Sequence, residues 1–414
     1  MKSSRGPHPR LRSYPYFPLM MLIHGTSALI DAAVAVTLAS SALFSVNPGE
    51  ARSSILLSLV GTMAPFVLLA PSASLLVEKI HFPRIVVAIT INAFRLLGLI
   101  LMAMASSHSS STRLAIFPLA FVMLTLSKCY VVAKTSALPQ ITTTANFPYF
   151  SSRLSMTTGI LSVVAGSLFF SVNSVISESG TLFFAAGIAT VAVVISIMSY
   201  RKIHQRYQLS DEYEVDCETS EADAMNANLS SRNRGRAIVS LFMYVSGIRF
   251  AVGAATVGIG LTFREDKFIL GLCFLVAVVA SYITNIVAVK LSRSRIALIV
   301  NYFFLGALCI AALWLLASSS SIFYIALSAV LGSLGAYSRV VYESRAAHII
   351  PLEFSARILS RGEVWMQFSW VLGALCSVIS YSSVFLGLLC FVGSVFSIRA
   401  YAATMTALSS RHSG

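Results

Sequence analysis

Charged side chains are scarce in this sequence. Only 11% of its 414 residues are Asp, Glu, Lys or Arg, and 57% are hydrophobic, whereas a soluble globular chain carries about 25% charged residues. The chain has too few polar side chains to cover a water-exposed surface, which excludes a single soluble domain. Apolar runs of about 20 residues recur from Pro18 nearly to the end, and each is long enough to cross a membrane.

Sequence motifs of enzymes are also missing. There is no GxxxxGK[ST] phosphate loop, no HExxH, no GxSxG and no set of His and Cys residues at metal-ligand spacing. Five of the six cysteines fall in apolar spans and none belongs to a CxxC pair, so we interpret them as small core residues. The sequence therefore predicts no enzyme, no cofactor, no metal site and no ATP-driven pump.

The apolar runs predict an all-α polytopic membrane protein with twelve transmembrane helices. The first run is about 27 residues long, whereas the apolar region of a cleaved signal peptide has about 7 to 15, so we interpret it as a retained span. The predicted spans are 18–45, 53–77, 85–105, 114–132, 154–176, 181–199, 237–260, 268–289, 296–317, 322–341, 363–380 and 383–398.

The net charge of +14 could indicate a nucleic-acid partner, so the positions of the basic residues matter. If the amino terminus is cytoplasmic, 24 of the 30 Lys and Arg residues fall at the cytoplasmic side and four fall outside. This asymmetry follows the positive-inside rule and reports orientation. We therefore expect a protein in the lipid bilayer of the cytoplasmic membrane, with both termini in the cytoplasm and no nucleic-acid partner. We also expect it to be a monomer.

A hydrophilic segment divides the chain. Residues 201–236 contain seven of the sixteen acids and few apolar residues, which is typical of a disordered linker. The segment predicts two six-helix bundles, at residues 1–200 and 237–414, joined by a cytoplasmic linker at residues 201–236.

Several charged residues recur at one spacing in the two halves. Asp31 in the first span corresponds to Arg249 in the seventh at a separation of 218. Agreement among several pairs predicts that the second half repeats the first. The pairs separated by 211 residues are Lys79 and Lys290, Arg84 and Arg295, Lys128 and Arg339, and Lys134 and Arg345.

Six plus six spans, cytoplasmic termini, a long central loop and basic turns after spans 2 and 8 together resemble the major facilitator superfamily. The family signature between spans 2 and 3 is roughly Gly-x-Leu-Ala-Asp-Arg-x-Gly-Arg-Arg, and SLLVEK at 74–79 matches its first part by type. Both glycines of the signature are missing, and so is the antiporter motif of span 5. The segment 134–155 is similar to the connection between spans 4 and 5 of bacterial facilitator proteins.

The resemblance implies that charged residues at the cytoplasmic helix ends latch a gate. The alternative is that they only obey the positive-inside rule. The residues implied by the signature and by the repeat are Glu78, Lys79, Arg84, Lys128, Lys134, Lys290, Arg295, Arg339 and Arg345.

Three ionisable residues fall near the middle of predicted spans: Asp31, Arg95 and Arg249. Such residues cost about 2.5 to 3.5 kcal/mol each to insert and persist where they face a cavity or a partner. His24 and Asn92 share helical faces with Asp31 and Arg95, respectively. A substrate or proton site at these five residues is one interpretation, with Arg95 or Arg249 holding an anionic substrate. A structural ion pair of Asp31 with either arginine is the other.

The repeat favours Arg249 as the partner of Asp31, since a two-fold axis along the membrane normal relates the first helices of the two halves. Arg249 also lies in a stripe of small and polar residues, which suits either a water-filled cavity or close helix packing. The members of this stripe are Ser246, Gly253, Thr256 and Gly260.

The resemblance implies a secondary transporter that moves a small solute by alternating access, with proton coupling as one option. Two alternatives remain. One is a membrane protein with a carrier-like fold that does not transport, such as a membrane-embedded transferase or an assembly factor. The other is a lipid flippase.

Overall fold

The computed structural model describes residues 14, 16–38, 83–107, 116–141, 147–208, 231–292, 297–350, 352–380 and 382–409. In these ranges the chain forms eleven α-helices and no strand, and every helix is long and apolar enough to cross a membrane. The helices are α1 (Tyr16–Leu38), α2 (Arg84–Ser107), α3 (Ile116–Ile141), α4 (Phe147–Val175), α5 (Glu178–Gln208), α6 (Ser231–Thr262), α7 (Lys267–Ser292), α8 (Ala297–Ala317), α9 (Ser321–Ile349), α10 (Leu352–Ile379) and α11 (Ser383–Ser409).

Eleven of the twelve predicted spans coincide with these helices, which confirms the all-α membrane fold. The remaining predicted span, 53–77, lies outside the described residues. Apolar composition accounts for the agreement, because a helix satisfies all its own backbone hydrogen bonds and can lie in lipid. The helix α8, for example, contains no charged residue in 21 positions.

Short polar connections determine where three of the helices begin. Asp266 caps α7 by accepting a hydrogen bond from the amide of Ile269 at 3.1 Å. Ser177 does the same for Gly180 at the start of α5, at 3.2 Å, and Ser382 for Phe385 at the start of α11, at 3.3 Å. In each case the side chain satisfies an amide of the first turn that has no partner within the helix.

Two helices extend into the ends of the predicted linker, residues 201–236. The helix α5 continues through Gln208, and α6 already begins at Ser231. Residues 201–208 and 231–236 are therefore helical, although they are basic and polar. Hydropathy marks where a helix leaves the apolar layer, whereas the helix itself continues as long as its residues favour it. The acidic middle of the predicted linker lies outside the described residues.

The described helices form two compact units, with α1–α5 in the amino-terminal unit and α6–α11 in the carboxy-terminal unit. Each unit has a core of its own. Leu99, Met102 and Phe169 are completely buried in the first. Leu305, Leu308 and Leu386 are completely buried in the second.

The two units share one packing scheme. In the amino-terminal unit α1 packs against α4 and α5, and α2 packs against α3 and α5. In the carboxy-terminal unit α6 packs against α10 and α11, and α8 packs against α9 and α11. Each of these pairs in one unit has its counterpart in the other, in the same chain order. This correspondence confirms the predicted pseudo-symmetry of the halves.

Glycines allow α6 and α10 to pack at close range. A Cβ atom at Gly253 would overlap the carbonyl oxygen of Trp370, and one at Gly373 would overlap that of Phe250. The backbones of these two helices therefore leave no room for a side chain at either glycine. At Gly253 the stripe around Arg249 serves close helix packing, which settles one of the alternatives for that position.

Candidate functional site

A charged pair links α1 to α2 in the amino-terminal unit. The guanidinium of Arg95 donates through Nη2 to Oδ1 of Asp31 at 2.5 Å and through Nη1 to the hydroxyl of Ser27 at 2.7 Å. Ser27 and Asp31 are four residues apart on α1, so their side chains share one face and both meet the two-pronged guanidinium. Two charge-assisted hydrogen bonds thus hold α1 and α2 together.

This pairing corrects the expectation drawn from the internal repeat. The repeat favoured Arg249 as the partner of Asp31, and the structure shows Arg95 in that role. Symmetry identifies which positions are equivalent, but it does not say which neighbouring helix presents an opposite charge. Asp31 and Arg95 lie on adjacent helices of one unit, so the pair forms within that unit.

The two members of the pair differ in exposure. The side chain of Arg95 is 1% exposed and that of Asp31 is 45% exposed. On α2 the apolar side chains of Phe94 and Leu97 face outward, whereas Arg95 faces the other helices. This arrangement suits a lipid environment, which favours apolar side chains on the outer surface. The accessible charge of this site is therefore the negative charge of Asp31.

Asn92 forms a second link between the same two helices. It lies one turn before Arg95 on α2, and its Nδ2 donates to the carbonyl oxygen of Ile23 at 2.9 Å. Its Oδ1 is buried and has no hydrogen-bond partner among the described residues. Asn92 and Arg95, predicted to share a face, thus both contact α1.

His24 connects three helices through both ring nitrogens. Nδ1 lies 3.2 Å from the hydroxyl of Tyr130 on α3, and Nε2 lies 2.5 Å from the hydroxyl of Thr158 on α4. The Thr158 hydroxyl donates to the carbonyl oxygen of Leu154 at 3.0 Å, so it accepts from Nε2–H. If the imidazole is neutral, its Nδ1 accepts from the Tyr130 hydroxyl. The contact of Thr158 with Leu154 thus indicates that Nε2 carries a proton.

Tyr130 and Thr158 were not among the predicted site residues. Hydropathy placed Tyr130 near the end of predicted span 114–132 and Thr158 near the start of 154–176. The helices α3 and α4 extend well past those limits, to Ile141 and from Phe147. Both residues therefore lie well inside their helices. The hydroxyl groups of Tyr130 and Thr158 could have indicated a polar site within the membrane. The predicted spans, however, placed both residues too close to the helix ends.

Charged residues of three helices lie near one another in the carboxy-terminal unit. Arg339 on α9 donates through Nε to Glu343 at 3.1 Å, and Glu363 on α10 accepts from Gln367 at 3.1 Å. Arg339, Glu363 and Glu343 all act electrostatically on Arg249 of α6. Glu343 and Glu363 were not among the predicted site residues either, although each is an acid within a long apolar helix.

The predicted gate residues that the structure describes lie on several helices. Lys134 is buried on α3. Arg345, on α9, acts electrostatically on Tyr337 and Tyr401. Arg84 begins α2 and Lys128 lies on α3. A gating role for these residues stays a prediction. Glu78, Lys79, Arg295 and the side chain of Lys290 lie outside the described part of the chain.

The described residues contain no cluster of three or more His, Cys, Asp or Glu side chains that would hold a metal ion. His24 and Asp31 are engaged with different partners on different helices. The site of the amino-terminal unit is thus a network of hydrogen bonds around one accessible carboxylate.

Two kinds of transporter structure align with nearly the whole chain. One is a crystal structure of a bacterial homologue of the iron transporter ferroportin in an outward-facing state. It aligns with a TM-score of 0.68 at 15% identity, covering 94% of this chain and 98% of that one. The other is the E. coli fucose:proton symporter, with a TM-score of 0.61 at 13% identity over 93% and 98% of the two chains.

The chain has the major facilitator fold. Sequence comparison contributes less, since no protein-family model matches. An uncharacterized protein of Mycobacterium leprae is 24% identical over 402 residues, which covers 87% of this chain and 66% of that protein. An uncharacterized protein of Mycobacterium tuberculosis is 28% identical over 114 residues, which is 20% of its length. The chain thus spans less than two thirds of the length of the curated relatives it matches.

Proposed function

We propose that this chain is a secondary transporter that carries a small solute across the membrane by alternating access. The observation that carries the proposal is the half-exposed carboxylate of Asp31, held against a fully enclosed arginine in the major facilitator fold. Inserting a charged side chain within an apolar helix costs free energy, and such a residue persists where it has a functional role. The aligned structures of this fold are transporters.

Asp31 is the group that meets the solute in this proposal. Because Arg95 is enclosed, the accessible side of the site attracts positive charge or hydrogen-bond donors. An anionic group is therefore disfavoured there, and a cationic or hydroxyl-bearing solute is favoured. Protonation of Asp31 would leave the charge of Arg95 enclosed without compensation, which is costly. Proton coupling through Asp31 would thus require the pair to separate during transport.

The remaining features of the proposal follow from the sequence. Residues 1–200 and 237–414 form two bundles that rock about the site, and the chain works as a monomer in the cytoplasmic membrane. Both termini and the linker face the cytoplasm, as the distribution of basic residues indicates. The predicted gate residues, among them Arg84 and Lys134, close the site on the cytoplasmic side.

A comparison of metabolites and lipids in cells with and without the gene tests transport. The chain, the Asp31→Asn variant and the control variant Glu265→Gln are produced at equal levels. Glu265 is an exposed acid in the connection before α7. A solute that changes at least several-fold with the wild type and the control, but not with Asp31→Asn, supports the proposal. The transport of that solute is then measured in proteoliposomes.

Two outcomes would count against the proposal. A gene-dependent redistribution of a lipid, with no change in any soluble metabolite, favours a flippase. No gene-dependent difference at all favours a carrier-like protein that does not transport.

A further inference from the structure

We propose that Asn92 is a positioning residue of the transport site, whose Oδ1 accepts a hydrogen bond from Arg95 when Asp31 turns toward a solute. The inference rests on the proposed function, in which Asp31 is the group that meets the solute. It adds what holds the enclosed guanidinium while its carboxylate is engaged with that solute. Its basis is one acceptor and one donor on the same face of α2, both buried and both without a partner among the described residues.

Arg95 has a donor that its present contacts leave unused. Nη1 and Nη2 donate to Ser27 and Asp31, whereas Nε is buried and has no hydrogen-bond partner among the described residues. A guanidinium keeps its charge at every relevant pH. Because Arg95 is completely buried, its hydrogen bonds depend on the side chains around it.

Asn92 has the complementary unused group. Its Nδ2 donates to the carbonyl oxygen of Ile23 at 2.9 Å, which holds the amide between α1 and α2. Its Oδ1 is an acceptor, and it is buried without a partner in the described part of the chain. Leaving a buried acceptor unpaired is unfavourable, so a donor within reach would stabilise this amide.

Helix geometry places the two groups within reach of each other. Residues three apart on a helix are neighbours, with their Cβ atoms about 5 to 6 Å apart. Asn92 and Arg95 have this spacing, and both contact α1, so their side chains lie on the same side of α2. An arginine side chain spans a distance of this size. A rotation about its own bonds therefore brings an N–H group to Oδ1 without movement of either helix.

The other polar groups near Arg95 are already engaged. The charge of Arg95 acts on Tyr130, but the hydroxyl of Tyr130 lies 3.2 Å from Nδ1 of His24. The hydroxyl of Ser27 already accepts from Nη1. Asn92 therefore offers the acceptor that Arg95 lacks once its carboxylate is withdrawn.

The arrangement gives Arg95 two sets of partners. Without a solute, Asp31 and Ser27 accept its hydrogen bonds. When Asp31 turns to a cationic or hydroxyl-bearing group, the guanidinium keeps Ser27 and gains Asn92. A neutral amide does not cancel the charge, but a hydrogen bond from a charged donor is stronger than one between neutral groups. The second acceptor thus lowers the free energy needed to release Asp31.

A double-mutant cycle on the purified full-length chain tests the inference without a transport assay. Asp31→Ala removes the carboxylate and so reproduces the state in which Arg95 has lost that acceptor. Asn92→Leu removes Oδ1 and also the hydrogen bond to Ile23. Melting temperatures in detergent are compared for the wild type, the two single variants and the double variant. Because the bond to Ile23 is lost in both backgrounds, a difference between them reports on Oδ1.

The expected result is a larger effect of Asn92→Leu where the carboxylate is absent. It should lower the melting temperature about twice as much in the Asp31→Ala background as in the wild type, since a charge-assisted hydrogen bond is then lost as well. An asparagine that only joins α1 to α2 would lower it equally in both backgrounds.

Moving the carboxylate from α1 to α2 is the second test. When Asn92→Asp is added to Asp31→Ala, the new carboxylate lies beside Arg95 and should restore about half or more of the lost melting temperature. The matched control adds Ser106→Asp to Asp31→Ala. Ser106 is also a buried polar residue of α2, but it lies eleven residues after Arg95, about 16 Å along the helix. A carboxylate there should restore nothing.

Three results would overturn the inference. They are equal losses from Asn92→Leu in both backgrounds, no recovery with Asn92→Asp, and equal recovery with Ser106→Asp. If the double variant with Asn92→Leu does not fold, the comparison of Asn92→Asp with Ser106→Asp decides. These measurements contain no solute, so a failure of this inference is distinguishable from a failure of the transport proposal, which the metabolite comparison decides.

Discussion

Arg95 is almost completely enclosed, and the carboxylate that neutralises it, Asp31, lies 2.5 Å away with nearly half of its side chain exposed. The pair is thus asymmetric. The positive member is enclosed between α1 and α2, whereas the negative member is partly exposed. Because the two residues differ in exposure, replacing each of them should change the stability by a different amount.

Removing one charge of this pair should cost more than removing both. Asp31→Asn leaves Arg95 enclosed without compensation, with an expected loss of about 3 to 5 kcal/mol. Arg95→Met leaves a carboxylate that is partly hydrated, so a smaller loss of about 1 to 3 kcal/mol is expected. The double variant should recover most of the stability. Thermal unfolding in detergent measures all four proteins.

The same cycle with Arg249 in place of Arg95 is the control. Because Asp31 is already paired with Arg95, the effects of Asp31→Asn and Arg249→Gln should add. A strong recovery in that double variant, together with additive effects for Asp31 and Arg95, would contradict the pairing seen here.

The hydrogen bonds of His24 predict its protonation state. We expect ¹⁵N NMR of the labelled imidazole to show a neutral ring protonated at Nε2. Tyr130→Phe removes the donor to Nδ1 and Thr158→Val removes the acceptor of Nε2–H, and each should cost about 1 kcal/mol. A ring protonated at Nδ1, or a doubly protonated ring, would show that the network is assigned wrongly.

The close packing of α6 and α10 predicts a position-specific effect of adding one methyl group. Gly253→Ala places a Cβ atom against the backbone of Trp370, so the helices must move apart, at a cost of about 1 to 3 kcal/mol or more. Gly260→Ala, on the same helix, is the control, since nothing lies within 4 Å of the added atom. Melting temperatures should fall only for the first. Equal effects would indicate that helix propensity, not packing, is responsible.

The distribution of basic residues predicts the orientation of the chain. Reporter fusions at Ser110 and Ser320 should report an external position. Fusions at Asn226 and at the carboxyl terminus should report a cytoplasmic one. An external signal at Asn226 would reverse the orientation and remove the basis for a cytoplasmic gate.

The sequence was sufficient to identify the architecture. Apolar runs act locally, because a segment enters the membrane according to its own residues. For the same reason the sequence alone showed that Asp31 and Arg95 are charged groups whose insertion into the membrane costs free energy. Such groups need an opposite charge, a cavity or a functional role. The paired lysines and arginines at a common spacing also predicted the repeat, which the packing of α1–α5 and α6–α11 reproduces.

The partners of these residues could not be obtained in this way. Each contact joins segments that are far apart in the chain. The contacts are the pair of Asp31 with Arg95, the hydrogen bonds of His24 with Tyr130 and Thr158, and the approach of Gly253 to Trp370. Hydropathy and periodicity describe one helix at a time. Which side chains meet depends on the rotation and depth of neighbouring helices, and those follow from the packing of the whole unit.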